Sequence, residues 1–447
     1  MDRRQFLDHS TRTTLAMGTA AIGTAAMVAS SGAAQAAPND RVTVCVAGVR
    51  GRGNALLRAF AANSAVDVKY VCDIDEAVLK GRTAQVASLT GKKPEAITDF
   101  RKALDDKDVA ALVLGTPDHW HALPTILACQ AGKDVYVEKP DGHNIREGQT
   151  MVAAAKKYER IIQLGTQARS GKHHAAAIEY LRSGAIGRAL YAKAWESAKQ
   201  GGIGRPKDGT PPATVDYDTW LGPAPKRAFN VNRFHGNWRW FFDYGTGDLG
   251  NDGVHRLDNA RRGLEAALAA EKKTLAAVPR TVSATGGKYY FDDAQEWPDT
   301  LVVSYDYPGY VLTYEMRIWS PYPYYGESEG AAVFGDAGYV VIGNSRWRAY
   351  DARARMIKEA SGGDHTSDHV QNFIDCMRSR DKPTADLETV GHPSSLMCHL
   401  GNVAWRVGRS VRYDPQTYAF PGDSEANALL TRPEYRKPWV LPEISQL

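Results

Sequence analysis

Short β-branched runs alternate with longer amphipathic stretches from Arg41 onward. Val42–Ala47 and Val66–Cys72 read as strands, with a helix over residues 55–62 between them. Strand, helix, strand in succession builds a parallel sheet, because each return to the sheet needs a crossover. The alternation continues through a strand at 109–114, a helix at 123–131, a strand at Asp134–Val137, a helix at 146–158 and a strand at 161–164. Five or six such units predict a doubly wound domain over residues 37–167.

Beyond that point the period changes. Strands at 189–195, 281–289, 301–307, 310–318, 331–335 and Gly338–Ile342 follow one another, several with only turns or loops between them, which predicts an open, mostly antiparallel sheet. Helices at 369–378 and 394–407 come late and are expected to pack back onto the body, completing an α+β domain over residues 168–447. Residues 197–244 are dense in Pro, Gly and aromatics with little periodicity, and a loop of that length inside a compact enzyme is usually functional.

At the amino terminus, Asp2-Arg3-Arg4-Gln5-Phe6-Leu7 precedes an uncharged Ala/Gly/Thr-rich run and then Ala34-Gln35-Ala36, the layout of a cleaved export signal over residues 1–36. The paired arginines followed by Phe-Leu resemble the twin-arginine type, which implies a periplasmic or otherwise exported protein that folds before export. Thr13, Thr14, Gly18, Thr19, Ser30 and Ser31 dilute the run below what an anchor needs, so no membrane span is expected in the mature protein. The net charge is +4 with no basic block, which argues against a nucleic-acid partner. The cysteines, Cys45, Cys72, Cys129, Cys376 and Cys398, are odd in number and lie in apolar runs, so buried thiols are expected rather than a disulfide framework.

Gly48, Gly51 and Gly53 end the first strand and enter a helix. That is where a dinucleotide pyrophosphate is held by backbone N–H groups and the helix N-terminus. The usual Gly-x-Gly-x-x-Gly spacing is altered, with Arg50 in the middle position and Arg52 further on, both able to contact phosphate. Asp73 closes the second strand about 20 residues later and suits the ribose hydroxyls. It would repel a 2′-phosphate, so NAD is favoured, with NADP left open by Arg50 and Arg52.

Thr116-Pro117-Asp118-His119-Trp120-His121 follows the fourth strand and Val137-Glu138-Lys139-Pro140 the fifth. With the glycine loop and Asp73, these segments resemble the Gfo/Idh/MocA oxidoreductases, the glucose-fructose oxidoreductase and inositol dehydrogenase family, over about residues 41–167. The resemblance implies that Thr116, Pro117 and His121 lie beside the nicotinamide ribose, and that Glu138 and Gln167 belong to the cofactor site. It further implies that Lys139, ahead of an often cis peptide bond, reaches the reacting hydroxyl. The family's catalytic helix reads Asp-x-Gly-x-His, matched here by Asn251-Asp252-Gly253-Val254-His255 with an amide in place of the acid. An amide can position a hydroxyl but cannot accept its proton. His255 is therefore the expected general base, with Lys139 holding the oxygen, Asn251 at the acid position and Asp248 one turn earlier as another candidate.

The aromatics of residues 197–244, Trp238 and Trp240 among them, suit the flat face of a pyranose, with Asp252 and Arg317 as further substrate contacts; their alternative reading is core and loop anchoring. The expected function is an NAD(P)-dependent oxidoreductase acting on a CH–OH group of a carbohydrate, with tightly bound cofactor. Alternatives are a redox-neutral, NAD-dependent glycoside-cleaving enzyme working by transient oxidation, and a catalytically silent sugar-binding protein. No ligand spacing announces a metal site. The open sheet, with the family's habit of burying it, implies a homo-dimer or homo-tetramer.

Overall fold

Residues 41–447 are described by a computed structural model, in which β1 (Val42–Ala47) passes through the three-glycine turn into α1 (Gly51–Ala62). The export-signal reading falls outside the described residues. The first domain continues with β2 (Val66–Cys72), α2 (Glu76–Thr90), β3 (Glu95–Ile97), α3 (Arg101–Asp105), β4 (Ala111–Leu114), α4 (Ala122–Gln130), β5 (Asp134–Val137), α5 (Ile145–Lys157) and β6 (Ile162–Leu164). All its strand pairs are parallel, in the order β3-β2-β1-β4-β5-β6, a Rossmann sheet. Successive β1 side chains feed separate cores, Val44 and Val46 on one face, Cys45 and Ala47 on the other. A strand buried on both faces shows a continuous apolar run, which is why it is legible as a strand.

The second domain contains α6 (Lys172–Arg182), β7 (Ala189–Glu196), α7 (Tyr217–Leu221), α8 (Gly247–Asn251) and α9 (Gly253–Ala270). After them come β8 (Thr281–Gly287), β9 (Thr300–Tyr307), β10 (Tyr310–Arg317), β11 (Glu329–Gly335), β12 (Gly338–Ile342), β13 (Arg346–Asp351) and β14 (Met356–Ser361), then α10 (Thr366–Ser379), α11 (His392–Val407) and α12 (Ser424–Ala428). Its eight strands run β14-β13-β12-β11-β7-β10-β9-β8, antiparallel at every pairing except the parallel β7/β10. One face lies under α9, where Gly253 and Gly263 permit close approach: a Cβ would stand 2.9 Å from the Tyr314 ring and 2.8 Å from Val333 respectively. Among the described residues the other face carries no helix and is laid with paired rings, Tyr191 on Phe334 and Tyr339 on Tyr350.

Late segments return to the first domain. Val370, Phe373 and Ile374 of α10 share a core with Leu56 and Phe60 of α1, and Trp439 joins the core on the opposite face of the sheet. All five cysteines are buried and free. Among the described residues no helix is long and apolar enough to cross a membrane.

Candidate active site

A cleft of about 430 Å³ opens at the carboxyl ends of the parallel strands, between the two domains. Its floor is the glycine turn. Gly48 sits at φ +73°, a Cβ on Gly53 would lie 1.7 Å from the Gly48 oxygen, and one on Gly115 would lie 2.6 Å from Gly53 Cα. Only backbone without side chains can bring the turn, α1 and the end of β4 this close. The N-cap of α1, Arg50, offers no side-chain acceptor and its first turn holds no acid, leaving the helix N-terminus for an anion. Gly48, Arg50, Gly51, Arg52, Asp73, Thr116, Pro117 and Glu138 border this cleft, while Gly53 lies beneath it.

Asp73 ties the turn to β2. One carboxylate oxygen accepts the Val49 N–H at 2.9 Å and the other the Asp75 N–H at 3.1 Å. Burial pushes its carboxyl above the ordinary range, against those two N–H groups. Each oxygen keeps a second lone pair. The aperiodic residues 197–244 cross back over this point: the Asp216 N–H reaches Ile74 O at 3.0 Å and the Glu76 N–H reaches Thr214 O at 2.9 Å. Asp75 also accepts from Thr214 Oγ1 at 2.9 Å and pairs with His235 Nε2 at 3.1 Å, so the long loop closes the end of the cleft beside Asp73.

The Glu138-Lys139-Pro140 segment holds three different tasks. Glu138 is buried and accepts from Arg52 Nε and Gln167 Nε2, both at 2.9 Å, while Arg52 also reaches Thr366 Oγ1 at 3.1 Å. Arg52 is thus pinned at the cleft wall, and Gln167 stands behind Glu138, away from the cleft. The Lys139–Pro140 bond is cis. His121 does not line the cleft either: its ring nitrogens lie 2.6 Å from Pro140 O and 2.9 Å from Thr116 O, so it braces the two motifs against each other. Lys139 alone points across the join, donating to Asn251 O at 2.5 Å and approaching Asn251 Oδ1 at 3.3 Å.

That contact depends on a break in the helix. The family resemblance implies one helix through residues 251–255, whereas α8 ends at Asn251 and α9 begins at Gly253, with Asp252 at φ −106° between them. The His255 N–H donates to Asp252 O at 3.1 Å, leaving the Asn251 carbonyl to accept from Lys139. The Asn251 amide donates to Asp252 Oδ2 at 2.9 Å. The His255 ring makes no hydrogen bond among the described residues; burial first, then the charges of Lys139 and Arg256, hold it well below the ordinary histidine range and therefore neutral. It does not border the cleft, as Lys139 and Asn251 do.

Three expected substrate contacts lie elsewhere. Trp240 is 3% exposed and belongs to the core, while Trp238 borders the cleft. Arg317 falls on the outer face of β10, pairing with Glu315 at 3.1 Å and lying 4.5 Å over Tyr324, because its parity along the strand matches Thr313 and Glu315. Asp252 sits at the helix break beside Asn251, off the cleft wall.

Several wall residues escape sequence reading. Asp99, Phe100 and Arg101 follow β3, the strand nearest this end of the cleft, and Arg101 lies 4.8 Å over Trp439, whose ring meets Trp120 at 4.9 Å. The rule that ligands bind at the carboxyl ends of parallel strands could have found the first three. Asp248, the further acid candidate from the sequence, and Glu196 lie off the cleft wall, buried, and desolvation first, then neighbouring carboxylates, push both carboxyls above the ordinary range.

Comparison with known proteins bears on this arrangement. Residues 42–166 match the GFO_IDH_MocA description, oxidoreductase family, NAD-binding Rossmann fold, and residues 193–270 and 355–441 match its C-terminal alpha/beta domain. A glycosyl hydrolase family 109 protein of Shewanella sp. (strain W3-18-1) is 27% identical over 159 residues, and one from strain MR-4 is 24% identical. The matched stretch spans 35% of this chain and 35% of either relative. Among solved structures, aldose-aldose oxidoreductase from Caulobacter crescentus, complexed with glycerol, superposes with a TM-score of 0.64 at 19% identity, covering 83% of this chain and 99% of that one. Levoglucosan dehydrogenase in complex with NADH and levoglucosan gives 0.63 at 17%, with the same coverage. The WlbA dehydrogenase from Bordetella pertussis with NADH and UDP-GlcNAcA gives 0.61 at 18%, covering 84% and 99%.

Proposed function

The chain belongs to the Gfo/Idh/MocA oxidoreductase family, with an NAD-binding Rossmann domain, and from that premise we propose that it oxidises a hydroxyl of a sugar or glycoside. The observation that carries this reading is the placement of Lys139 on Asn251 at the wall of the glycine-turn cleft. NAD held in that cleft would supply the hydride acceptor. The chain's own residues do the rest. Lys139 has N–H donors beyond the one given to Asn251 and holds the substrate oxygen, stabilising negative charge as it develops. His255 lies behind the Lys139–Asn251 wall and not at the cleft, so it is proposed to receive the hydroxyl proton once substrate binding opens that wall. Gly48, Arg50 and the start of α1 hold the pyrophosphate, and Asp73 takes the ribose hydroxyls, favouring NAD over NADP.

Residues 197–244 cover the Asp73 end of the cleft, which supports a cofactor retained through many turnovers. Arg3-Arg4 supports export with that cofactor in place, where free nucleotide is scarce. The helix-free sheet face supports a homo-dimer or homo-tetramer, and a monomer by light scattering would contradict it.

Identifying the nucleotide that co-purifies with the protein by mass spectrometry, then following reduced nicotinamide on mixing with a panel of sugars and alkyl glycosides, tests the main reading. The family 109 relatives favour a second one, in which oxidation is transient and a glycosidic bond is cleaved before the hydride returns. Release of a free aglycone without net reduced nicotinamide would select it. Binding of sugars with neither signal would leave only a sugar-binding protein.

A further inference from the structure

His173 and His174 on α6 and His365, the N-cap of α10, each bring one ring nitrogen within 4.8 Å of those of the other two. Their ring centroids are 4.3, 4.8 and 5.4 Å apart. His173 Nε2 and His174 Nε2 both face one acceptor, the Asn344 carbonyl oxygen, at 3.1 and 3.3 Å. A carbonyl oxygen can only accept, so it fixes both protons on Nε2 and leaves both Nδ1 atoms as bare lone pairs. Those two Nδ1 atoms are buried with no hydrogen-bond partner, on side chains only 4% and 2% exposed. A buried acceptor left unmade costs roughly 1–3 kcal/mol, and two of them side by side need an explanation.

The neighbouring charges leave room for a cation here. Arg256, bonded to the Asn344 side chain, is paired with Glu329, and Arg52, bonded to Thr366, is paired with Glu138. A Cβ on Gly362 would stand 2.1 Å from His173 Nδ1, and one on Gly171 would stand 2.9 Å from the His365 ring, so a side chain at either position would displace the histidines. Each of the two helical histidines already faces a backbone carbonyl with Nε2, the contact that orients a metal-bound imidazole.

We propose that His173, His174 and His365 form a binding site for a zinc-class divalent ion, with water at the fourth position. Three imidazole ligands suit Zn²⁺ and its first-row neighbours and not Mg²⁺ or Ca²⁺. The ion ties α6, which packs on α9, to the start of α10, which packs on α1. The residue after His365 is Thr366, the partner of Arg52 in the glycine turn, so the ion braces the cleft from outside.

The test uses tag-free protein, stripped with chelator and dialysed against ZnCl₂, with CoCl₂ as a spectroscopic probe. Wild type is expected to retain one zinc per chain and to give the intense visible absorption of tetrahedral cobalt. His365→Ala, at the most exposed of the three positions, is expected to bind zinc at least 100-fold more weakly and to lose that absorption, with near-ultraviolet circular dichroism reporting its fold; His365→Gln replaces it if it does not fold. Absence of zinc from the wild type, or equal binding by wild type and the folded variant, overturns the proposal.

Discussion

Lys139 Nζ lies 2.5 Å from the main-chain oxygen of Asn251, across the join between the parallel-stranded domain and the antiparallel one. The carbonyl is available because the helix breaks at Asp252 and the His255 N–H turns to Asp252 O instead. A backbone acceptor is indifferent to the side chain that carries it. An amide at position 251 can therefore hold the lysine where the family pattern has an acid.

Asn251→Ala removes the longer lysine contact, 3.3 Å from Lys139 to Oδ1, and the amide's hydrogen bond to Asp252 Oδ2, but keeps the carbonyl. Steady-state kinetics are expected to show kcat reduced by about tenfold or less, about 1.4 kcal/mol, since Lys139 keeps its shorter partner.

Asp73 is the charge that a 2′-phosphate would meet. Wild type is expected to bind NAD at least about tenfold more tightly than NADP in calorimetric titrations, with the preference shrinking in Asp73→Ala. That variant also frees the Val49 N–H, so its affinity for both nucleotides falls.

A methyl group at position 53 has no room, with the Gly48 oxygen 1.7 Å away, whereas position 51 is open on all sides and only its φ of +46° resists a side chain. Gly53→Ala is expected to lower stability by at least about 2 kcal/mol and to abolish nucleotide binding. Gly51→Ala should cost about 1–2 kcal/mol from backbone strain. Denaturant melts with and without NAD separate the two.

His369 is buried and neutral, with Nε2 on Leu164 O at 2.9 Å and Nδ1 2.6 Å from Ser170 Oγ; burial brings it down to about 4. Its folded value lies below the unfolded one of about 6.5, so only the unfolded chain takes up a proton as pH falls through that range. Its contribution is complete above pH 6.5 and is lost on acidification. From pH 7 to pH 5 the wild type is expected to lose about 2 kcal/mol more than His369→Gln, read from unfolding free energies at the two pH values.

Legibility followed burial. β1, β2, β5 and β12 match their sequence ranges because their apolar residues are local and continuous. α2 buries only Leu79, Thr83 and Val86, β3 exposes two of its three residues, and β14 is almost wholly exposed at a sheet edge, so none leaves a hydrophobic signature. In the site, the placement of the glycine turn, Asp73 and Lys139 at the cleft was readable because it is set within a few residues of chain. Trp240 and Arg317 were not, since whether a ring enters a core, or which face of a strand an arginine takes, is decided by partners far along the sequence. The break at Asp252 was hidden for the same reason: Gly253 is needed for contact with Tyr314, on a strand about sixty residues later.

The central claim, that the cleft joins nucleotide to substrate through Lys139, is tested most directly by Lys139→Met. Calorimetry with NAD and reduced-nicotinamide absorbance with an active sugar or alkyl glycoside are measured on the same preparation. NAD affinity within about threefold of wild type, with hydride transfer reduced at least about 100-fold, is the expected result. Undiminished hydride transfer, or no NAD binding by the wild type, would contradict it.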